Sequence, residues 1–418
     1  MIKRILAVLT GAVLTAACET KVTNPGPVNA AFLDNKAALP ALVNGAGRDL
    51  ADAMNWTLYT SAAEAREIYP AGSTGSFGIS VNVQNGRLTE DESGDFWDRA
   101  QRARWTGEQG AARLKAVLGD ADYAKSTLAA QILVWTGYSN RLLGETMCTG
   151  VIDGGPAQDA KVYLTRAEAN FTEAMTIATA AGSAALSTAA QAGRAQVRLD
   201  LGNVTGAVAD AGTIASTYTY KLPYFATEQV QYNRIYWANA NAPYRAYTQK
   251  WTWVESYRAA TKDPRVPYDS SATLKEGDGA VGGQPDGSSG KVRWYFQQKY
   301  ATTAANVNLA SGWEMRLIEA EVKLINGDVL GAVAIINARR AALNVPLVVA
   351  VTAADAWTAL KRERAIELWL EGRRLFDLRR WKAASRPGSY DTREDVANRD
   401  LCFPISLQEK QSNTNLNK

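Results

Sequence analysis

The 418-residue chain contains no histidine. That absence removes every Ser-His or Cys-His nucleophile pair, every His-ligated zinc or iron site and the commonest general base at neutral pH. Charge of one sign is also missing: 46 Lys and Arg stand against 42 Asp and Glu, a net of +4, with no dense basic block. Nucleic acid is therefore not an expected partner. Phenylalanine is scarce, with 8 against 12 Trp and 17 Tyr, so most of the rings carry a polar edge suited to wet binding surfaces. What remains is ordinary globular composition, 46% hydrophobic and 21% charged, and a chain long enough for two or three structural units.

The N-terminus has its own pattern. Lys3 and Arg4 precede an apolar run over residues 5–14, which is too short to span a bilayer, and Thr15-Ala16-Ala17-Cys18 follows. A secretory signal ending in small residues directly before a Cys resembles a bacterial lipobox, although Thr15 stands where Leu is more usual. Residues 1–17 are then a lipoprotein signal peptide, Cys18 is the lipidation site, and residues 18–34, with Pro25 and Pro27, are an extended tether. An ordinary secreted protein is the alternative. Cys148 and Cys402 remain in an oxidising compartment and suggest a disulfide, with two buried thiols as the other possibility.

Helical periodicity fills residues 35–63, 94–118, 122–146, 161–181 and 184–201, with Asp120, Asp159 and Ser183 as cap candidates. Residues 72–88 read as a Gly, Ser and Asn-rich loop with a short alternating stretch at 79–83. An internal repeat at an offset of 125 aligns Ala195, Leu199, Gly202, Val204 and Gly206 with Ala320, Leu324, Gly327, Val329 and Gly331, and continues through Ala207, Val208 and Ala209. Both copies share one plan: a helix ending at a left-handed Gly, a cap at Asn203 or Asp328, and small residues where two helices cross. This resembles tetratricopeptide-type pairs, which stack because one pair cannot bury its own face. The fold class expected is mostly α, a helical-hairpin scaffold over 35–216 and 311–418. Residues 217–310 are expected to be an irregular, loop-rich ligand-binding subdomain, because residues 218–257 hold twelve aromatics in forty positions.

The stretch from Lys361 to Trp381 places Glu363, Glu367 and Glu371 four residues apart, on one face of an expected helix where neighbouring Arg residues can pair with them. A glycosidase-like carboxylate pair is the other reading, and six Arg residues within the stretch argue against it. From Glu363 to Trp381 the sequence closely resembles the C-terminal signature of the RagB/SusD family of outer-membrane nutrient-binding lipoproteins, ERxxELxxEGxRxFDLxRW. Cys18, Arg141-Leu142-Leu143-Gly144, Asp263-Pro264-Arg265, Gly327-Asp328 and Phe403-Pro404-Ile405-Ser406 agree in order.

The resemblance implies four tetratricopeptide-like pairs supporting a less regular ligand side. It also implies a lipid-anchored protein on the cell surface that captures glycans or similar nutrients and delivers them to a SusC-like TonB-dependent transporter, without being an enzyme. No metal or cofactor is expected; Gly277 to Gly282 matches a dinucleotide turn by letter only, and Asp278 and Asp286 fit no calcium loop. Candidate ligand-binding residues are Trp56, Tyr59, Trp97, Tyr236, Trp237, Trp251 and Trp253, where ring faces stack on sugar C–H faces. Trp97 and Trp105 share a helix face, so packing within the array is the competing role for Trp97. The rival functions are a glycan-degrading lipoprotein and a helical-repeat adaptor that binds only protein partners.

Overall fold

The computed structural model describes residues 33–71, 79–240, 245–275 and 293–416. Cys18, the signal segment, the tether up to residue 32 and the Gly-rich stretches at 72–78 and 276–292 lie outside these residues.

The scaffold is a run of antiparallel helices: α1 Leu39–Glu64, α2 Gly94–Leu118, α3 Thr127–Thr146, α4 Lys161–Ala180, α5 Ala184–Asp200, α6 Val204–Ala211, α7 Gly312–Ile325, α8 Val329–Ala342, α9 Ala353–Glu367 and α10 Arg374–Ala383. From α1 to α8 each helix packs on the next, and α9 closes against α7 and α8. The architecture is mostly helical, as the periodicity predicts. Close approach is made possible by small residues facing large ones. A methyl on Gly137 of α3 or Gly193 of α5 would stand 2.6 or 2.4 Å from the ring of Phe171, so the buried α4 ring occupies a slot cut by both neighbours.

The two repeat copies share their geometry. Gly202 and Gly327 both have φ +82°, and Asn203 and Asp328 accept the N–H of Gly206 and Gly331 at 3.0 and 2.8 Å. The copies also pack directly on one another: Ala195, Ala207 and Ala211 bury against Met315, Ile318 and Val322. Residues 212–311 therefore leave the array after α6 and return to it at α7. Where they leave and return, strand Thr219–Leu222 pairs antiparallel with Val307–Ser311, and the Gly312 N–H donates to the Tyr218 carbonyl at 2.8 Å. Tyr224 and Tyr247 of this excursion are buried in the same core as α1.

Three expectations need correction. The alternating stretch at 79–83 is not extended, because Ser80 Oγ accepts the Val83 N–H and starts the helical turn Val81–Gln84. Asp120 and Ser183 make no side-chain cap: Gly119 and Ser183 precede their helices without such a bond, whereas Asp159 accepts the Lys161 N–H at 2.8 Å. The signature stretch is two helices rather than one. Leu370 at φ +58° and Gly372 at φ +73° turn the chain between α9 and α10, so Glu371 leaves the face that carries Glu363 and Glu367.

Candidate ligand-binding site

The three signature glutamates are structural, and their partners come from elsewhere in the chain rather than from neighbouring signature arginines. Arg265 donates to Glu363 at 2.5 Å and to Glu367 at 2.9 Å; Arg340 and Arg339 complete the two pairs, each at 2.8 Å. Glu371 accepts from Lys299 at 2.7 Å and Asn308 at 2.8 Å. The signature arginines reach outward in turn: Arg373 to Glu145 and Glu314, Arg374 to Glu394, Arg380 to Glu321. Burial pushes the Asp377 carboxyl up, but Arg364 at 2.8 Å and Arg380 overcome it and hold the group well below the usual carboxylate range. These groups are committed to binding one another, which leaves no carboxylate pair set up for glycoside hydrolysis among them.

Of the seven predicted ligand residues, three are core. Tyr59 and Trp253 have no exposed surface and Trp97 keeps 1%. Tyr59 packs on Tyr247 at 5.8 Å, and Trp253 lies under the Arg362 guanidinium at 4.8 Å. Their burial removes them as stacking surfaces. Trp56 is half-buried, but Arg234 lies 3.6 Å and Arg99 4.8 Å from its ring centroid, so guanidinium groups cover it. Tyr236 and Trp237 sit on the short helix Arg234–Ala240, Trp237 edge-on to Tyr232 at 5.2 Å. Arg234, at the start of that helix, also lies 5.5 Å from the Tyr59 ring centroid, so Trp56, Tyr59, Tyr236 and Trp237 share one neighbourhood.

Trp251 stands apart. It is a half-buried indole on a non-glycine residue at φ +63°, a backbone conformation that a bulky side chain adopts only when its surroundings impose it. The constraint is visible: the Glu255 carboxylate accepts the Trp251 N–H at 2.9 Å, and the Tyr69 ring meets the indole edge-on at 5.2 Å. Tyr69 is carried there by the pairing of Tyr69–Pro70 with Tyr247–Thr248. On the other side, Gln249 donates its N–H to Tyr295, which sets strand Arg293–Gln297 beside the Trp251 segment. That strand presents Trp294 and Phe296 on one face, 4.7 Å apart. Trp251, backed by the buried Tyr69 ring, forms an aromatic shelf of the type that stacks against sugar rings. Phe296 and Trp294 fall outside the dense aromatic window, and only the hairpin of Tyr268–Lys275 with Arg293–Gln297 brings them in.

A separate cleft of about 770 Å³ opens between α1, α2 and the 223–231 segment, lined by Trp135 and Phe225 together with Arg48, Arg99 and Arg102. Sequence reasoning missed it. Trp135 reads as one more apolar position of α3, and the charges of α1 read as a solvated helix face. Among the described residues no group of three or more Cys, Asp or Glu is placed to hold a metal ion. No helix among them is long and apolar enough to cross a membrane.

A model of the SusD family matches residues 209–418. The chain belongs to the SusD family. Solved structures with the same fold cover nearly all of it. A SusD superfamily protein from Parabacteroides distasonis aligns with TM-score 0.66 at 13% identity, covering 91% of this chain and 98% of that one. A SusD superfamily protein from Bacteroides vulgatus gives 0.65 at 14% identity over 91% and 97%, and a SusD-like carbohydrate binding protein from the same organism gives 0.62 at 12% identity over 91% and 97%. No curated protein matches. The SusD match begins within α6 and takes in the aromatic excursion, the α7–α8 repeat and the signature.

Proposed function

We propose that this SusD-family chain is a non-enzymatic capture protein: anchored to the outer membrane through acylated Cys18, it binds glycans at the cell surface and passes them to a SusC-like TonB-dependent transporter. Residues 1–17 act as the signal peptide, residues 18–34 tether the fold, and residues 217–310 form the ligand-binding side on the scaffold of 35–216 and 311–418. The observation that carries the binding role is Trp251, held in a left-handed backbone and half exposed beside Tyr69. Family membership and the carbohydrate-binding relative support a sugar as the ligand.

The test is twofold. Trp251→Ala should lower glycan affinity about tenfold, the order of one lost stacking contact, while far-ultraviolet circular dichroism stays unchanged. Affinity purification of the acylated protein from its own outer membrane should recover a TonB-dependent transporter in near-equal amount. Unchanged affinity would remove the shelf, and recovery of the protein alone would remove the delivery role.

A further inference from the structure

The 770 Å³ cleft is lined by two unlike sets of side chains. The apolar set holds Phe225 and Val230, 53% and 59% exposed, together with the Trp135 indole. Trp135 is braced from behind by Tyr220, stacked at 5.6 Å and 29°, whose hydroxyl receives the Gln131 amide at 3.0 Å. The rest of the lining is charged. Asp52 accepts from Arg99 at 2.5 Å and Arg102 at 2.7 Å. Asp49 accepts from the Thr106 hydroxyl at 2.8 Å and lies 3.6 and 3.8 Å from Arg48 and Arg102. Arg99 also pairs with Asp95 at 3.5 Å, so three guanidiniums meet three carboxylates, yet the side chains of Arg48 and Arg102 remain 58% and 49% exposed. Each guanidinium carries five N–H donors in a planar fork that matches a carboxylate.

We propose that this cleft is a second saccharide site and that it selects acidic sugars: a uronate ring rests its C–H face on Phe225 and Trp135 while Arg48 and Arg102 take its carboxylate. Asp49 and Asp52 hold the guanidiniums in place. A smaller recess of about 320 Å³ shares Arg102 and continues along α2 to Trp105, which is 52% exposed, so the ligand is an oligomer that runs past the first ring. This site is distinct from the Trp251 shelf. Arg48 lies sixteen residues before the end of α1, roughly 24 Å along the helix from the end that leads to Tyr69. The inference rests on the glycan reading for the sugar ring and adds the charge class to it.

The test is calorimetric titration of the detergent-solubilised full chain with tetragalacturonate and, separately, with a neutral galactose tetramer. The expected result is saturable binding of the uronate at least tenfold tighter than the neutral sugar, weakening as salt rises. Arg48→Gln/Arg102→Gln and Phe225→Ala should each lower uronate affinity about tenfold or more, with circular dichroism unchanged. Neutral sugar bound as tightly as uronate, or uronate affinity untouched by the double Arg variant, would overturn the acidic site and leave glycan capture standing. Absence of binding by both sugars, and by a wider oligosaccharide panel, would remove the glycan reading and this inference with it.

Discussion

Arg265 donates to Glu363 and Glu367 at once, joining the aromatic excursion to the signature helix across about a hundred residues of sequence. All three side chains are nine-tenths or more buried, and Asp263 adds a further bond to Arg265 at 2.7 Å. The bridge fixes the ligand side on the scaffold.

Removing Arg265 takes a partner from three buried carboxylates: Glu363 keeps Arg340, Glu367 keeps Arg339 and Asp263 keeps the Tyr257 hydroxyl. Arg265→Met is expected to cost on the order of 3 kcal/mol in urea unfolding, and Arg265→Lys to recover little, because one ammonium cannot reproduce a forked contact. Equal stability of Arg265→Met and the parent would remove the bridge from the account.

Cys148 and Cys402 are joined by a disulfide across a sequence separation of 254. Beside it, the Cys148 N–H donates to the Phe403 carbonyl at 2.8 Å and the Phe403 N–H to Thr146 at 2.7 Å. The denatured, unreduced protein should show no thiol at either position, and replacing both cysteines by Ala should cost about 2–4 kcal/mol. Full labelling of the two cysteines without reductant would contradict the bridge.

Gly312 starts α7 where the excursion rejoins the scaffold. A methyl there would stand 2.0 Å from the Ala215 carbonyl oxygen, a backbone atom that cannot swing aside. Gly312→Ala is expected to lose about 2 kcal/mol or more in the same unfolding assay. A variant as stable as the parent would show that the junction is looser than described.

Burial raises Glu67 to about 8, against the Leu370 N–H that its carboxylate accepts at 3.0 Å, and raises Glu64 to about 8 against Arg399 and Arg66. Between their ordinary value of 4.5 and about 8 the native state binds more protons than the unfolded one, so this share of stability is complete at low pH and is lost as pH rises through that window. The stability of the parent should fall from pH 5 to pH 8, and Glu67→Gln, which keeps an acceptor for Leu370, should flatten the decline. A parent that gains stability over the same interval would reverse the sign.

The fold was legible where one local rule sufficed. The Gly202 and Gly327 caps, with Asn203 and Asp328 behind them, require only a few residues of context, and the structure has all four in those roles. The signature motif was legible as a string but not as a shape. Its i, i+4 spacing suggests a single helix face, and the left-handed turn at Leu370 and Gly372 breaks it. The aromatic cluster misled in a different way. Trp253 carries the same indole as Trp251 two residues away, and only the packing of the excursion against α9 decides which indole is buried and which is half open. Long-range pairing of that kind leaves no trace in a window of forty residues. For the same reason the cleft lined by Trp135 and Arg48 could not be read from either helix alone.

The most direct measurement is a titration of the intact protein with a panel of oligosaccharides, following intrinsic Trp fluorescence while assaying reducing ends in the same samples. The account predicts saturable quenching by at least one glycan, lost in Trp251→Ala, with no reducing ends released. Release of reducing ends would contradict it by making the chain a hydrolase, and silence of the indoles across neutral and acidic glycans alike would contradict glycan capture itself.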